Sequence, residues 1–200
     1  MTDVLSQTPT DGLHPLLAAR RSPRAFDPAR EIGDAALRAL LQAARWAPSA
    51  NNSQPWRFGL ARRGEPAFEA LVDALMPGNR AWAGNAAVLL LVAAAETDAS
   101  GRHLAWSRYD VGQAVAHLTV QAQAEGLVVH QMGGFDPAAA ARVFDLDGGV
   151  QPLIVVAVGH HDPTAVLPEP LAARERAPRE RADLEDLLLA PAAQELPLSA

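Results

Sequence analysis

Three short apolar segments constrain the fold of this chain more than any other feature. Residues 87–94, 127–132 and 153–158 are rich in Val, Leu and Ile and are bounded by turn-forming residues. Runs of this length and composition predict β-strands, and residues 57–61 predict a weaker fourth strand. Strands that are apolar throughout are buried on both faces, so we expect helices to cover the sheet.

The spacing of apolar residues predicts helices before and between these strands. The predicted helices cover residues 13–20, 34–46, 66–76, 109–125 and 137–144, with Asp34 as a start signal, Gly126 as a stop and Asp136 as a cap. Two helices therefore precede the first strand. Neither GxGxxG nor GxxxxGK[ST] occurs, so the two common nucleotide fingerprints are absent. The pattern predicts a three-layer α/β or α+β domain rather than a plain Rossmann unit.

The composition excludes several kinds of enzyme chemistry. The chain has 200 residues, no Cys, and 17 basic residues that are all Arg. It therefore cannot use a cysteine nucleophile, a Cys-ligated metal centre, a Schiff-base lysine or a phosphate-loop lysine. The net charge of −6 argues against sequence-independent binding of nucleic acid, which requires a basic surface.

Length and hydropathy predict one domain in the cytoplasm. The longest apolar run, residues 86–95, is about half as long as a bilayer span, and the N-terminus lacks the pattern of a signal peptide. We therefore expect no membrane or nucleic acid partner. The domain is predicted over residues 13–188, with residues 1–12 and 189–200 as loosely ordered or dimer-wrapping tails. The Pro/Arg/Glu-rich section 163–181 is also predicted to be loose.

A cluster of arginines follows the predicted first helix. Arg20, Arg21, Ser22 and Arg24 lie within the run RRSPRAF. Guanidinium groups bind phosphate oxygens through paired, charge-assisted hydrogen bonds, and a serine hydroxyl can add another. The same cations could instead complement the dipole at the helix C-terminus. The residues alone leave both interpretations open.

A polar loop follows the second predicted helix. The run APSANNSQPWRF holds Ser49, Asn52 and Gln54, whose side chains offer the mixture of donors and acceptors that recognises a heterocycle. Asn, Ser and Pro are also the ordinary residues of a capped turn. Here, too, both interpretations stay open.

Two further segments could contact a ligand. QMGGFDP leaves a predicted strand and enters a helix, so Gly133 and Gly134 would let a flat ligand approach the backbone. A simple tight turn is the alternative. The late segment RERAPRER has the alternating charges of a solvated chain, but Arg179 and Arg181 share one face of an extended segment and could bind an anion together.

No motif predicts a catalytic side chain or a metal site. The six histidines lack a metal-ligand spacing such as HExxH, and no serine lies within GxSxG. A metalloenzyme or a serine hydrolase therefore has no support in the sequence.

The order of these segments resembles the FMN-dependent nitroreductase family, from residue 13 to about residue 188. That family shows RRSxRxF after its first helix and aPSxxNxQPW at the end of its second, and both motifs stand here almost letter for letter. Further matches are PGNRAW before an apolar strand, the helix YDVGQAVAHLTVQAQAEGL, the GGFDP turn, the strand PLIVVAVGHH and the closing PRER.

The resemblance implies an α+β fold of three layers, α/β/α, with a central and mainly antiparallel sheet that dimerisation completes. It also implies a homodimer with two FMN molecules at the subunit interface, each contacted by both chains. Six residues would hold the FMN phosphate and part of the ring. They are Arg20, Arg21, Ser22, Arg24, Arg179 and Arg181.

The remaining contacts implied by the resemblance involve the flavin ring. Ser49, Asn52 and Gln54 would reach it from the partner subunit, and Asn79 would touch the ring edge. The turn at Gly133 and Gly134 would face flavin N5.

The implied activity is that of an FMN-dependent oxidoreductase. Hydride would pass from NADH or NADPH to flavin N5 and then to an electron-poor acceptor such as a nitroaromatic or a quinone, at one site and with ping-pong kinetics. The flavin carries this chemistry, so no side chain is predicted to be catalytic. The alternatives are a dehydrogenase, dehalogenase or flavin-consuming enzyme of the same fold, a non-catalytic FMN-binding protein, and a structural protein without ligand.

Overall fold

Helices alternate irregularly with strands in residues 12–189, which the computed structural model describes. The helices are α1 (Pro15–Ala19), α2 (Asp34–Arg45), α3 (Pro66–Ala74), α4 (Pro77–Ala83), α5 (Ser107–Ala124), α6 (Pro137–Val143), α7 (Glu169–Arg176) and α8 (Leu184–Leu187). The strands are β1 (Trp56–Arg62), β2 (Val88–Ala95), β3 (Val128–Met132) and β4 (Val150–Gly159), and a short 3-10 helix covers Ala50–Asn52. Of the predicted tails, residues 1–11 and 190–200 lie outside the described residues.

The four strands form one antiparallel sheet in the order β1-β2-β4-β3. At one end of β2, Val88 pairs with Val158 of β4, and at the other end Ala94 pairs with Trp56 of β1. Every residue of β2 is buried, as its continuous apolar sequence predicts. The α+β fold with a central antiparallel sheet is therefore confirmed.

Helices cover both faces of the sheet. Alternate residues of β2 point to opposite faces, so Leu90 packs in one buried cluster with Leu40 and Leu118, from α2 and α5. Leu89 packs in a second cluster with Phe68, from α3, and with residues of α4 and α6. The predicted three layers are confirmed, with α2 and α5 on one side and α3, α4 and α6 on the other.

Local sequence signals explain where several helices begin and end. The Asp136 carboxylate caps α6 by accepting hydrogen bonds from the backbone N–H groups of Ala138 (2.9 Å) and Ala139 (3.1 Å). Gly126 follows the end of α5 with a φ of 70°, a conformation that glycine adopts without strain. The start signal of α2 differs by one residue from the prediction, since Gly33 is the N-cap and Asp34 is the first helical residue.

Strand β4 begins earlier than the predicted residues 153–158. Its first part contains Pro152, which cannot donate a ladder hydrogen bond. The pairing with β2 shifts register between Val92 and Ala93, opposite Pro152. A β-bulge of this kind accommodates the missing N–H and lets the strand extend to Val150.

Three helices, α4, α7 and α8, were not predicted from the sequence. Helix α4 occupies the PGNRAW segment, where Pro77 takes the first helical position and the unfavourable Gly78 is offset by the burial of Trp82 and Ala83. Helix α7 lies within residues 163–181, so the prediction of a wholly loose section was wrong there. The sequence of α7 is mostly polar, and its one buried residue, Leu171, packs against the core.

Candidate functional site

A cavity of about 650 Å³ opens between the end of α1, the loop that follows it and the chain after α7. Six arginines contribute to its wall: Arg20, Arg21, Arg24, Arg174, Arg179 and Arg181. Ser22 lines the same cavity, as does Gln123 near the end of α5. We call this the arginine cavity. It unites all six residues of the predicted phosphate-binding group, although they come from two parts of the chain.

The loop after α1 is fixed by pairing with the chain beyond β4. Asp27 N–H donates to His160 O (2.9 Å) and Asp162 N–H donates to Ala25 O (3.1 Å). Between them, the ring of Phe26 is buried against Gly159, where an added Cβ would lie 2.7 Å from the ring. Only glycine therefore allows this approach. The approach holds the RRSPR loop, residues 20–24, at this end of the sheet.

The segment after α7 is tied to the same loop by an arginine. Arg179 Nη1 donates to the backbone oxygens of Ala18 (2.6 Å) and Arg20 (3.0 Å). These carbonyls lie at the C-terminal end of α1, where helical partners are missing. Arg179 thus both caps α1 and brings Arg181 to the wall of the cavity.

The positive charges in the arginine cavity repel one another. The pKa of Arg20 is lowered, first by burial of the guanidinium and then by the nearby charges of Arg181 and Arg179. Among the described residues, no carboxylate forms an ion pair with Arg20, Arg21 or Arg181. A group of cations that lack carboxylate partners is well suited to bind an anion.

The predicted ring-contact residues Asn79 and Gly134 touch each other at the edge of the sheet. Gly134 O accepts hydrogen bonds from Asn79 Nδ2 (3.0 Å) and from Met76 N–H (3.0 Å). These bonds join the start of α4 to the turn after β3. An added Cβ at Gly133 would meet open space, so the backbone of this turn is accessible from one side.

The predicted Ser49–Gln54 loop is held in a compact, strained conformation. Ser49 Oγ accepts from Gln54 N–H (3.1 Å), and Ala50 N–H donates to the buried carboxylate of Asp110 (3.0 Å) near the start of α5. The φ angles of Asn51, Asn52 and Gln54 are 52°, 56° and 46°. Residues other than glycine rarely adopt this left-handed backbone region, and such strain is often associated with function. Asn52 and Gln54 are both exposed.

The structure does not bring this loop to the arginine cavity of the same chain. The loop contacts Asp110, whereas the cavity contacts Gln123. These residues are separated by about 20 Å along α5 at a rise of about 1.5 Å per residue. The sheet also separates them, because the loop adjoins Trp56 at one end of β2 and the cavity lies at the other end. The predicted site residues therefore form three groups: the arginine cavity, the contact between Asn79 and the Gly133–Gly134 turn, and the Ser49–Gln54 loop. The first and the last lie at opposite ends of α5.

Sequence reasoning missed two residues that shape the arginine cavity. Glu175 lines it, and His130 lies buried directly beneath the RRSPR loop, where burial lowers the pKa of the imidazole. Glu175 lies within RERAPRER, but the motif drew attention only to its arginines, and His130 belongs to no motif; the contacts of both residues are with positions more than a hundred residues away in the sequence.

Comparison with known proteins identifies the family. A family model described as the Nitroreductase family matches residues 17–160. The chain belongs to the Nitroreductase family. This nitroreductase-family chain is 37% identical over 139 residues to an uncharacterized 15.4 kDa protein of Mycolicibacterium smegmatis, covering 66% of this chain and 92% of that protein.

Further relatives of this nitroreductase-family chain are a curated protein and a crystal structure. A Streptomyces coelicolor protein, provisionally named NADH dehydrogenase/NAD(P)H nitroreductase, is 30% identical over 150 residues, which cover 64% of this chain and 73% of that protein. A crystal structure described as an oxidoreductase containing FMN superposes with a TM-score of 0.87 and 34% identity, and the match covers 97% of this chain and 99% of that one.

Two other classes of site are absent from the described residues of this nitroreductase-family chain. No helix within residues 12–189 combines the length and the apolar character that crossing a bilayer requires. Within the same residues, no three His, Asp or Glu side chains are arranged to hold a metal ion.

Proposed function

We propose that this chain is an FMN-dependent oxidoreductase that uses NADH or NADPH as electron donor and reduces an electron-poor acceptor. The observation that carries the proposal is the arginine cavity, in which Arg20, Arg21 and Arg181 form no ion pair with a carboxylate of the described residues and are suited to bind an anion. Family membership adds support, as does the likeness to an oxidoreductase containing FMN.

The residues of the cavity fit the phosphate group of FMN. Arg20, Arg21 and Arg181 would supply paired, charge-assisted hydrogen bonds to the phosphate oxygens. The Ser22 hydroxyl, now accepting a hydrogen bond from Arg20 Nη1 (3.1 Å), would add a neutral donor. Arg179 would contribute mainly by holding Arg20 and Arg181 in place through its bonds to the end of α1.

The turn after β3 fits a flat ring. Gly133 leaves its backbone open, and Gly134 is held by Asn79 and Met76. A backbone N–H at such a turn can donate to a ring nitrogen without the bulk of a side chain. The rigid turn would therefore orient the ring, while the arginines would hold the phosphate.

When bound, FMN supplies the redox chemistry by accepting reducing equivalents from the nicotinamide and passing them to the acceptor. The side chains bind and orient, and none is required as a proton donor. Donor and acceptor would use the same site in turn, so ping-pong kinetics are expected.

The proposed enzyme is a homodimer with its sites shared between chains. Each chain carries the arginine cavity at one end of α5 and the Ser49–Gln54 loop at the other. If two copies pack with their α5 helices antiparallel, the loop of each chain meets the arginine cavity of the other, and a two-fold axis produces two equal sites. In a single chain, the arginine cavity and the Ser49–Gln54 loop lie too far apart to form one site.

Exposed apolar surface supports the same assembly. A groove of about 860 Å³ runs between α1, α2 and α5 and is lined mainly by apolar residues, Leu16, Leu17, Ala43, Trp46, Ala116 and Val120 among them. The side chains of Trp46, Trp106 and Tyr109 are 78%, 65% and 66% exposed. Aromatic residues exposed to this extent are typical of a surface that a partner covers.

The first experiment is to purify the protein and identify its chromophore. We expect a yellow protein that releases about one FMN per chain on acid precipitation. Anaerobic titration with NADH or NADPH should bleach the flavin absorbance, and a quinone should restore it. A colourless protein that binds no added FMN would contradict the proposal. Bound flavin that neither nicotinamide reduces would instead indicate a non-catalytic FMN-binding protein.

A further inference from the structure

One peptide group in the RRSPR loop is held from both sides by residues distant in sequence. The buried His130 donates from Nδ1 to the carbonyl oxygen of Pro23 (3.0 Å). The N–H of Arg24, which belongs to the same peptide group, donates to both carboxylate oxygens of Glu175 (3.0 and 3.2 Å). The peptide between Pro23 and Arg24 therefore cannot rotate without breaking bonds on both of its faces.

The surroundings of Glu175 make it the centre of this arrangement. Its carboxylate also lies 3.8 Å from Arg24 Nη1 and 3.8 Å from His161 Nε2. Its side chain is 21% exposed. Glu175 thus joins the last turn of α7 both to the RRSPR loop and to the chain after β4. The segment that carries Arg179 and Arg181 begins directly after this turn.

The charge of Glu175 is unfavourable for binding an anion. Its carboxylate lines the arginine cavity, where it would repel a phosphate group. Its position is therefore explained by geometry rather than by attraction of the ligand.

We propose that Glu175 is a positioning residue for the phosphate site, with His130 as its counterpart beneath the loop. Glu175 fixes the Pro23–Arg24 peptide and couples the two arginine-bearing segments, so that the cavity is formed before the ligand arrives. This inference rests on the proposed FMN function. It predicts that removing a negative charge from a cationic pocket will weaken phosphate binding.

The test compares the affinities of the apoprotein for FMN and for riboflavin, which lacks the phosphate. Glu175→Ala should weaken FMN binding roughly 10- to 100-fold, as expected for loss of hydrogen bonds to a charged group. Glu175→Gln should weaken it less, because its amide oxygen still accepts from Arg24 N–H. Riboflavin affinity should be unchanged. His130→Phe keeps an aromatic ring beside Trp82 but removes the donor, and it should also lower only FMN affinity.

The matched control is Glu180→Gln on the same wall. The Glu180 side chain makes no hydrogen bond or ion pair within the described residues, so this variant removes only a negative charge from the cavity and should tighten FMN binding. If Glu175→Gln also tightened FMN binding, electrostatics alone would govern and the proposal would be overturned. Equal losses for FMN and riboflavin would overturn it too, because they indicate a merely structural role.

A second measurement separates this inference from the proposed function. Amide hydrogen exchange at Arg24 in the flavin-free protein should be at least about tenfold faster in Glu175→Ala than in Glu180→Gln. If the wild-type protein binds no flavin, the proposed function fails, but this exchange difference still shows that Glu175 fixes the Pro23–Arg24 peptide. Equal exchange in the two variants overturns this role of Glu175 even where FMN binds normally.

Discussion

The two ends of helix α5 carry opposite kinds of structure. At the Gln123 end, the arginine cavity is fixed within one chain by Arg179, Glu175 and His130. At the Asp110 end, the Ser49–Gln54 loop has left-handed backbone angles and exposed amide side chains. One end is completed by contacts inside the chain, and we propose that the other makes its contacts with a second chain.

This difference indicates how a small chain can build a large binding site. The charged half needs long-range packing to oppose the repulsion among its arginines, so it lies where three chain segments meet. The polar half needs only a rigid loop, which Asp110 anchors through one backbone hydrogen bond. Antiparallel pairing of two chains would then unite the halves without further loops.

The largest expected effect concerns the charged half. Arg20→Ala combined with Arg181→Ala should weaken FMN binding by about 3 kcal/mol, or roughly 100-fold, through loss of charge-assisted hydrogen bonds. The flavin-free variant should be at least as stable as the wild type, because both the burial of the Arg20 guanidinium and its repulsion by Arg181 and Arg179, which together lower its pKa, are removed. Equilibrium titration with FMN and thermal unfolding of the apoprotein measure the two effects.

A charge-matched control is Arg38→Ala with Arg142→Ala, which removes two exposed arginines outside the cavity. Its FMN affinity should stay within about twofold of the wild type at moderate salt, since exposed distant charges are screened. A comparable loss in this control would show that net charge, rather than the cavity, governs binding.

The second prediction tests whether the two halves meet across a dimer. The arginine double variant and Asn52→Asp/Gln54→Glu are co-expressed with different tags, and the mixed species is purified through both tags. The mixed dimer should hold about one FMN, against about two in the wild type, because one of its sites combines two unaltered halves. Each parent variant alone should bind little.

Two results would contradict the shared site. A mixed species without FMN would mean that each chain forms its own complete site. A loop variant that binds FMN as tightly as the wild type would remove Asn52 and Gln54 from the site altogether.

The smallest expected effect concerns strain in the loop. Gln54→Gly should raise the stability of the flavin-free protein by up to about 1 kcal/mol, because a φ of 46° is unfavourable for a residue with a Cβ. Ser53→Gly is the neighbouring control, with an ordinary φ of −66°, and should lower the stability instead. Denaturant unfolding measures both, and equal changes in the two variants would argue against stored strain.

The sequence predicted the helices and strands with strong periodicity but not those formed by tertiary packing. All four strands and five helices were recognisable from apolar runs and capping residues. Helix α4 was missed because its Pro-Gly start is typical of a turn, and its stability comes from the buried Trp82. Helix α7 was missed because one buried leucine in a charged segment carries no periodic signal.

The candidate site likewise combines residues that local motifs indicated with residues that only the tertiary structure reveals. The arginine motifs pointed to residues that line one cavity, and the Asn79–Gly134 contact joined two further predictions, while their roles in binding FMN stay predictions. The roles of Glu175 and His130 could not be found from sequence, because each depends on a peptide group more than a hundred residues away, even though Glu175 lies within the RERAPRER segment. The separation of the loop from the cavity likewise follows from the lengths of α5 and β2.

The clamped peptide limits how the RRSPR loop can recognise an anion. Pro23 has no N–H, and the next N–H, that of Arg24, is already engaged by Glu175. Two consecutive backbone donors are therefore withdrawn from the loop, unlike in glycine-rich loops that surround a phosphate with main-chain amides. If FMN binds here as proposed, its phosphate is recognised mainly by guanidinium side chains, and its affinity should decline as ionic strength rises.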